Sequence, residues 1–256
     1  MACKQSSVPV FLCLGFLIFL SSCSMVKENR DGCPCRLEIR LTGTFGEPSH
    51  VMVKAGEESW SYTAAGDTVL FAYVPRGVVS VTAWSGAAEP DGDAFRCSSG
   101  SSFPPLYLCH CTIDAEGDEV IANARLLKQF CTLHISVDGP SGWGRPFGTT
   151  VRGSVDGMST EGLPQEGPFR YTLGDSVDTW SVRIPRQAPD SPLLLDIVMA
   201  DSVVRTFSLG SYLLEAGFDW GAPDLGDLDL QLNLSITSLT FRSPVWEPVA
   251  TLWVDI

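Results

Sequence analysis

Residues 228–236 read Leu-Asp-Leu-Gln-Leu-Asn-Leu-Ser-Ile. Leu228, Leu230, Leu232, Leu234 and Ile236 occupy every second position, and Asp229, Gln231, Asn233 and Ser235 lie between them. Side chains of an extended chain point alternately to opposite faces, so this segment buries one face and wets the other. A helix would scatter the same leucines around its axis. The period of two recurs at Leu37, Ile39 and Leu41, at Val69, Phe71 and Tyr73, and at Val79, Val81 and Ala83 beyond a Pro-Arg-Gly turn. It recurs again at Leu133, Ile135 and Val137, at Trp180, Val182 and Ile184, and in a closing strand through Ala250, Leu252, Val254 and Ile256. The best helical candidates, residues 120–128 and 209–216, are shorter. Many short strands punctuated by turns predict an all-β sandwich architecture. One polar face per strand predicts mostly antiparallel sheets.

The chain has 256 residues, 45% hydrophobic and 18% charged. That composition can build cores and excludes global disorder, which needs low hydrophobicity and high charge. Asp and Glu outnumber Lys and Arg 30 to 17, a net charge of -13. Nucleic-acid binding needs clustered Lys and Arg to release counterions, and no such cluster exists here. One sandwich would be large for this length, and the polar stretch Asp-Ala-Glu-Gly-Asp-Glu at 114–119 interrupts the strands before a new series begins at Leu126. This predicts two tandem sandwich domains, 33–127 and 128–256. No short-period repeat and no low-complexity linker separates them, so the halves are expected to pack together.

The N-terminus reads as an address. Lys4 precedes an unbroken apolar run at residues 10–20, too short for a membrane-spanning helix but suited to a signal-peptide core. The run ends in Leu20-Ser21-Ser22-Cys23. This resembles a bacterial lipobox, with residues 1–22 removed and Cys23 acylated. Small residues let the peptidase approach the backbone, and the thiol becomes the thioether to lipid. Several acyl chains would anchor the protein durably. Residues 23–32 then form a polar, lipidated tether.

Chemistry is scarce. The only histidines, His50, His110 and His134, lie far apart, and no nucleophile elbow, zinc-protease, P-loop or dinucleotide motif occurs. No catalytic residue, cofactor or metal is therefore expected. Asp114, Glu116 and Asp118 superficially match a calcium loop, but Glu119 replaces the required glycine and Arg125 the closing acid, so they read as a solvated turn. Asp219, Asp224, Asp227 and Asp229 read as turn and exposed-face residues. Six cysteines follow Cys23: Cys33, Cys35, Cys97, Cys109, Cys111 and Cys131. In an exported protein an even set reads first as disulfides, with free buried thiols and metal binding as the alternatives. Cysteines two apart share a strand face, so Cys33/Cys35 and Cys109/Cys111 are candidates for bridges between neighbouring strands. The seven tryptophans are scattered and read as core rather than as a sugar platform.

The C-terminal half carries an ordered series of words: V-R-G-S-V-D-G (151–157), E-G-P-F (166–169), I-P-R-Q (184–187) and P-L-L-L-D-I (192–197). F-S-L-G-S-Y-L (207–213), A-G-F-D-W (216–220) and D-L-x-D-L-D-L-Q-L (224–232) follow, with Trp246 on the last hairpin. Together with N-R-D-G-C-P-C-R-L-E (29–38) shortly after a lipobox, this resembles the FimB/Mfa2 family of fimbrial anchor and minor-subunit lipoproteins of Bacteroidetes-type bacteria. The resemblance runs from Asp31 to the last residue, looser at 47–102, and it rests on order and spacing rather than on any single word.

The resemblance implies two transthyretin-like β-sandwich domains and a non-enzymatic role. It implies a lipoprotein of the outer membrane, surface-exposed with the fimbria, that holds the polymer through pilin partners and limits its growth. Assembly in such fimbriae is by strand complementation, in which backbone hydrogen bonds give affinity and alternate side chains give specificity. Two segments are the candidate interface strands: the leading strand through Leu37, Ile39 and Leu41, and the closing strand through Ala250, Leu252, Val254 and Ile256. Polymerising pilins of the group lose their leading strand, whereas retention here would cap the first domain. The C-P-C and C-H-C pairs depart from the family pattern. The different-class alternative is a surface glycan-binding lipoprotein of a polysaccharide-uptake system. Exposed tryptophans on a concave face would favour the glycan reading, and an exposed strand edge with buried tryptophans the fimbrial one.

Overall fold

A computed structural model describes residues 32–138, 147–173, 179–199, 202–233, 238–243 and 246–253. Eighteen strands and one short helix are found among them. The first group is β1 (Cys35–Thr42), β2 (Ser49–Ala55), β3 (Glu58–Ala64), β4 (Thr68–Val74), β5 (Val78–Ser85), β6 (Ala94–Arg96), β7 (Tyr107–Asp114), β8 (Glu119–Arg125) and β9 (Leu127–Lys128). The second is β10 (Phe130–Asp138), β11 (Phe147–Ser159), β12 (Pro164–Leu173), β13 (Thr179–Pro185), β14 (Leu193–Met199) and β15 (Ser202–Phe207). Helix α1 (Leu209–Glu215), β16 (Leu228–Asn233), β17 (Ser238–Ser243) and β18 (Trp246–Trp253) close it.

The strands form four sheets, in the orders β4-β1-β8, β3-β2-β5-β7-β9, β13-β10-β16-β17-β18 and β12-β11-β14-β15. Pairing is antiparallel except for β1 with β8 and β10 with β16. The two halves repeat one plan: a leading strand lies between an antiparallel and a parallel neighbour, facing an antiparallel sheet. The sequence shows no such repeat, because a fold of this kind fixes only which positions are apolar.

Each plan encloses its own core. Leu37, Ile39, Val53, Val79, Val81 and Leu126 represent the first, drawn from residues 35–126. Leu133, Ile135, Val182, Leu195, Phe207 and Trp220 represent the second, drawn from residues 131–230. A third cluster, including Trp84, Phe95, Phe103, Phe130 and Met158, takes side chains from both groups of strands. Strand β6 pairs with β11, Phe95 opposite Met158. Gly157 makes this approach feasible, since a Cβ there would overlap the Phe95 carbonyl oxygen.

Most of the alternation holds. Leu228 and Leu230 are buried beside exposed Asp229, whereas Leu234 and Ile236 lie outside the described residues. Residues 209–216 supply the helix, which ends where Gly217 adopts φ 80° and Phe218 N–H reaches back to the Leu213 carbonyl. The other helical candidate, 120–128, is instead β8 and β9. In β4 the expected faces are reversed. Val69, Phe71 and Tyr73 point outward while Ala72 and Val74 are buried. The strand Thr-Val-Leu-Phe-Ala-Tyr-Val is apolar on both faces, so alternation alone cannot assign the inside.

Candidate subunit interface

The leading strand β1 is the central strand of its sheet. It pairs antiparallel with β4, Leu37 opposite Ala72 and Ile39 opposite Leu70, and parallel with β8, Leu37 beside Val120. The candidate interface residues Leu37, Ile39 and Leu41 are at most 1% exposed. Their burial makes β1 an integral part of the first core, not a loosely held cover. On the outer face of β1, Arg36 pairs with Glu119 at 2.5 Å and Arg40 with Glu38 at 2.7 Å.

The closing strand is β18, the last strand of its sheet, with Leu252 opposite Leu239 and Ala250 opposite Phe241. Val254 and Ile256 lie outside the described residues, as does Cys23.

Strand β4 is an edge: among the described residues it pairs with β1 alone. Val69, Phe71 and Tyr73 are 46%, 53% and 67% exposed. The Arg36 guanidinium lies 5.2 Å from the Phe71 ring centre, a cation–π contact that covers only one side of the ring.

The strand order places the cysteines. Opposite Cys109 and Cys111 on β5 stand Ala83 and Val81, opposite Cys35 on β4 stands Val74, and opposite Cys131 on β13 stands Ile184. No cysteine faces another across a strand pair, and no disulfide joins Cys33, Cys35, Cys97, Cys109, Cys111 or Cys131 among the described residues. Cys109 and Cys111 lie on one strand, whose rise separates their α-carbons by about 6.6 Å, unsuited to a disulfide's usual Cα separation of about 5.5–6 Å. Cys109 and Cys111 are neighbours on the inner face of β7, and each thiol shifts the other. The Cys111 thiol raises Cys109, with burial adding to the effect, and the Cys109 thiol holds Cys111 down to about 7. Burial pushes Cys131 up. Among the described residues no group of three or more His, Cys, Asp or Glu is placed to hold a metal ion.

The histidines are dispersed. His50 stacks on Trp84 at 5.4 Å, His110 shares a hydrogen bond with Thr82, and His134 one with Ser181. A polar cleft of about 510 Å³ lies between the outer face of β2, β5 and β7 and the turn after β11. Lys54, Asp93, Arg96, His110 and Glu161 are among its walls, and no Phe, Tyr or Trp side chain is. Trp84 and Trp220 are buried, at 8% and 3% exposure.

Sequence reasoning missed a polar knot built from the I-P-R-Q and D-L-x-D words. Arg186 donates to the carbonyls of Trp220, Ala222, Pro223 and Lys128 and to the Gln129 side chain. Asp227 accepts from Lys128 Nζ at 2.6 Å and from the Thr132 backbone at 2.7 Å. The signal available in the sequence was an arginine beside a proline and acids spaced three apart, which looks the same as an ordinary turn.

With this geometry the fold can be compared with known ones. The fimbrial anchor protein Mfa2 from Porphyromonas gingivalis superposes with a TM-score of 0.62 at 10% identity, covering 84% of this chain and 98% of that one. This chain shares the fold of Mfa2. A candidate adhesin from Bacteroides ovatus matches at TM-score 0.60 and 12% identity, over 86% of this chain and 95% of its own. A candidate polysaccharide-binding protein from Bacteroides thetaiotaomicron matches at 0.62 and 11%, over 85% and 98%. No family model and no curated protein matches the sequence. The Mfa2-like fold agrees with the all-β, two-sandwich expectation, and the likeness spans both groups of strands.

Proposed function

We propose that this protein is a non-enzymatic, lipid-anchored fimbrial subunit that attaches a fimbria to the outer membrane and limits its length. The observation that carries the reading is the likeness to the Mfa2 anchor across 98% of that protein's length. The position of β1 supports it. Polymerisation by strand complementation needs a groove, and a central β1 whose inner face is buried keeps that groove filled. A subunit that retains its leading strand ends growth at that face. Cys23 carries the lipid, residues 23–32 are the tether, and the two sandwich domains meet at Leu127.

One solved relative is described as polysaccharide-binding, which favours a glycan-binding lipoprotein as the second reading. Buried Trp84 and Trp220 and a cleft without Phe, Tyr or Trp in its walls weigh against it. Mild cross-linking and pull-down from outer membranes, with a tagged chain against its Cys23→Ala variant, separates the two. Ladders of pilin on the tagged chain, shed into the medium by the variant, are the expected result. Transporters or glycan as the only partners would refute the fimbrial reading, and a mature protein lacking residues 24–36 would refute the capping role of β1.

A further inference from the structure

Edge strands of soluble proteins are guarded by charges, prolines, bulges or covering loops, because bare backbone invites pairing with another chain. Strand β13, the counterpart of β4 in the second half, is guarded in this way. The Arg183 backbone N–H donates to Ser102 Oγ at 2.7 Å, its carbonyl accepts from Phe103 N–H at 2.9 Å, and its side chain reaches the Phe103 carbonyl at 2.8 Å. Among the described residues strand β4 has none of these devices. Residues 68–74 contain no charge and no proline, its pairing with β1 runs without a bulge, and its outer face carries three large apolar side chains in a row.

The order of residues in β4 selects an occupant. Phe71 is the middle of the seven-residue strand. Antiparallel pairing of β4 with itself about Phe71 sets Val69 opposite Tyr73 and Phe71 opposite Phe71 on the outer face. Aromatic–β-branched and aromatic–aromatic cross-strand pairs are favourable ones. On the inner face the same register sets half-buried Leu70 opposite small Ala72, large against small, so both cores extend across the join without a clash. Two-fold symmetry requires this self-complementarity, because one patch must serve both sides.

We propose that β4 pairs antiparallel with β4 of a second copy of this chain, about a two-fold axis at Phe71, giving a continuous six-stranded sheet β8-β1-β4-β4-β1-β8. The proposal rests on the strand's exposure and register and does not depend on the fimbrial reading.

Sedimentation equilibrium in reductant tests it, using the chain without residues 1–23, which keeps the compact unit Pro34–Ile256 whole. The expected result is a concentration-dependent mass of two chains. Phe71→Lys and Phe71→Glu each set like charges opposite each other at the axis and reduce the mass to one chain. Mixing the two variants sets opposite charges there and restores the two-chain mass. Phe71 is half exposed, so both variants keep the fold, as far-ultraviolet circular dichroism would verify. A wild-type mass of one chain at the highest attainable concentration overturns the proposal. So does a two-chain mass that survives Phe71→Lys, or a mixture that stays monomeric. Capture of a pilin strand by a monomeric wild type, lost in Phe71→Lys, assigns the edge to a different occupant and equally overturns it.

Discussion

Replacing Arg186 with methionine removes the guanidinium while keeping an unbranched apolar stem. Arg186 is half-buried and donates to Gln129 Oε1 at 2.9 Å, Ala222 O at 2.8 Å, Pro223 O at 3.1 Å and Lys128 O at 3.3 Å, and also to the Trp220 carbonyl. Hydrogen bonds from a charged donor contribute about 1.5–3 kcal/mol each. Five cannot be summed, since they share one group, the Lys128 contact is long and the Pro223 contact is exposed. Counting the two bonds with the best geometry gives about 3 kcal/mol or more for Arg186→Met. For a chain of this size that lowers the melting temperature by roughly 6–12 °C. Arg125→Met is the control: Arg125 meets Asp224 at 3.5 Å with both side chains more than half exposed, and such pairs contribute well under about 1 kcal/mol. Arg186→Lys, a point charge without the planar fork, falls between the two. Urea and thermal unfolding in reductant give the measurement. If Arg186→Met unfolds within 1 °C of Arg125→Met, the guanidinium is not what holds residues 128–129 to residues 220–223, and the reasoning fails.

Other expectations are checked as directly. For Asp196, burial pushes the carboxyl up, but hydrogen bonds from Arg152 and Thr206 and the charge of Arg152 outweigh it, leaving it below the usual carboxylate range. Asp227 is depressed in the same way, with Lys128 and Thr132 outweighing burial. A depressed folded value adds stability that is full above the unfolded value of about 3.9 and is lost as pH falls through the folded one. Asp196→Asn and Asp227→Asn therefore lower stability at neutral pH and flatten its decline below about pH 4 in unfolding experiments; an unchanged acid decline would be contrary. Cys111 alkylates with a midpoint near pH 7, read by mass spectrometry, while buried Cys131 stays unmodified in the folded chain. Cys109→Ala moves that midpoint up toward about 8.5, and a midpoint that does not move would show that Cys109 does not act on the Cys111 thiol. Gly157→Ala forces a Cβ onto the Phe95 carbonyl and costs about 1–3 kcal/mol in denaturant unfolding; a neutral result would place β6 away from β11.

How far the sequence could be read depended on whether a segment has one apolar face or two. Residues 228–231 and the leading strand place their leucines and isoleucine inside as the alternation requires, because only one face can be buried. Thr68–Val74 offers two apolar faces, and its direction was settled by small Ala72 and by Val74 meeting Cys35 in the core, contacts that exist only once β1 is alongside. Strand β8 failed as a helix candidate for a similar reason. Glu-Val-Ile-Ala-Asn-Ala-Arg has good helix formers, but its parallel pairing with β1 decides its conformation. The cysteines were legible only in part. Spacing told which face they share but not which residues stand opposite them, and pairing partners are long-range facts. Arg186 was invisible for the same reason, since its acceptors lie about 35 and 57 residues away along the chain.

The repeated plan gives these differences a common sense. In the second half, β16 is flanked by the added hairpin of β17 and β18, and β13 is covered by the segment at Ser102 and Phe103, so neither neighbour of the leading strand is a bare edge. In the first half the corresponding strands β8 and β4 end their sheet, and among the described residues neither has a further strand beside it. Their surfaces nonetheless differ. The outer face of β8 is largely polar and its Glu119 is paired with Arg36, whereas the outer face of β4 is apolar. A bare apolar edge costs solubility, and a chain carrying net charge -13 has the polar residues to protect it. That protection is present on β13 and missing on β4. That asymmetry is what the proposed pairing of β4 with a second copy requires.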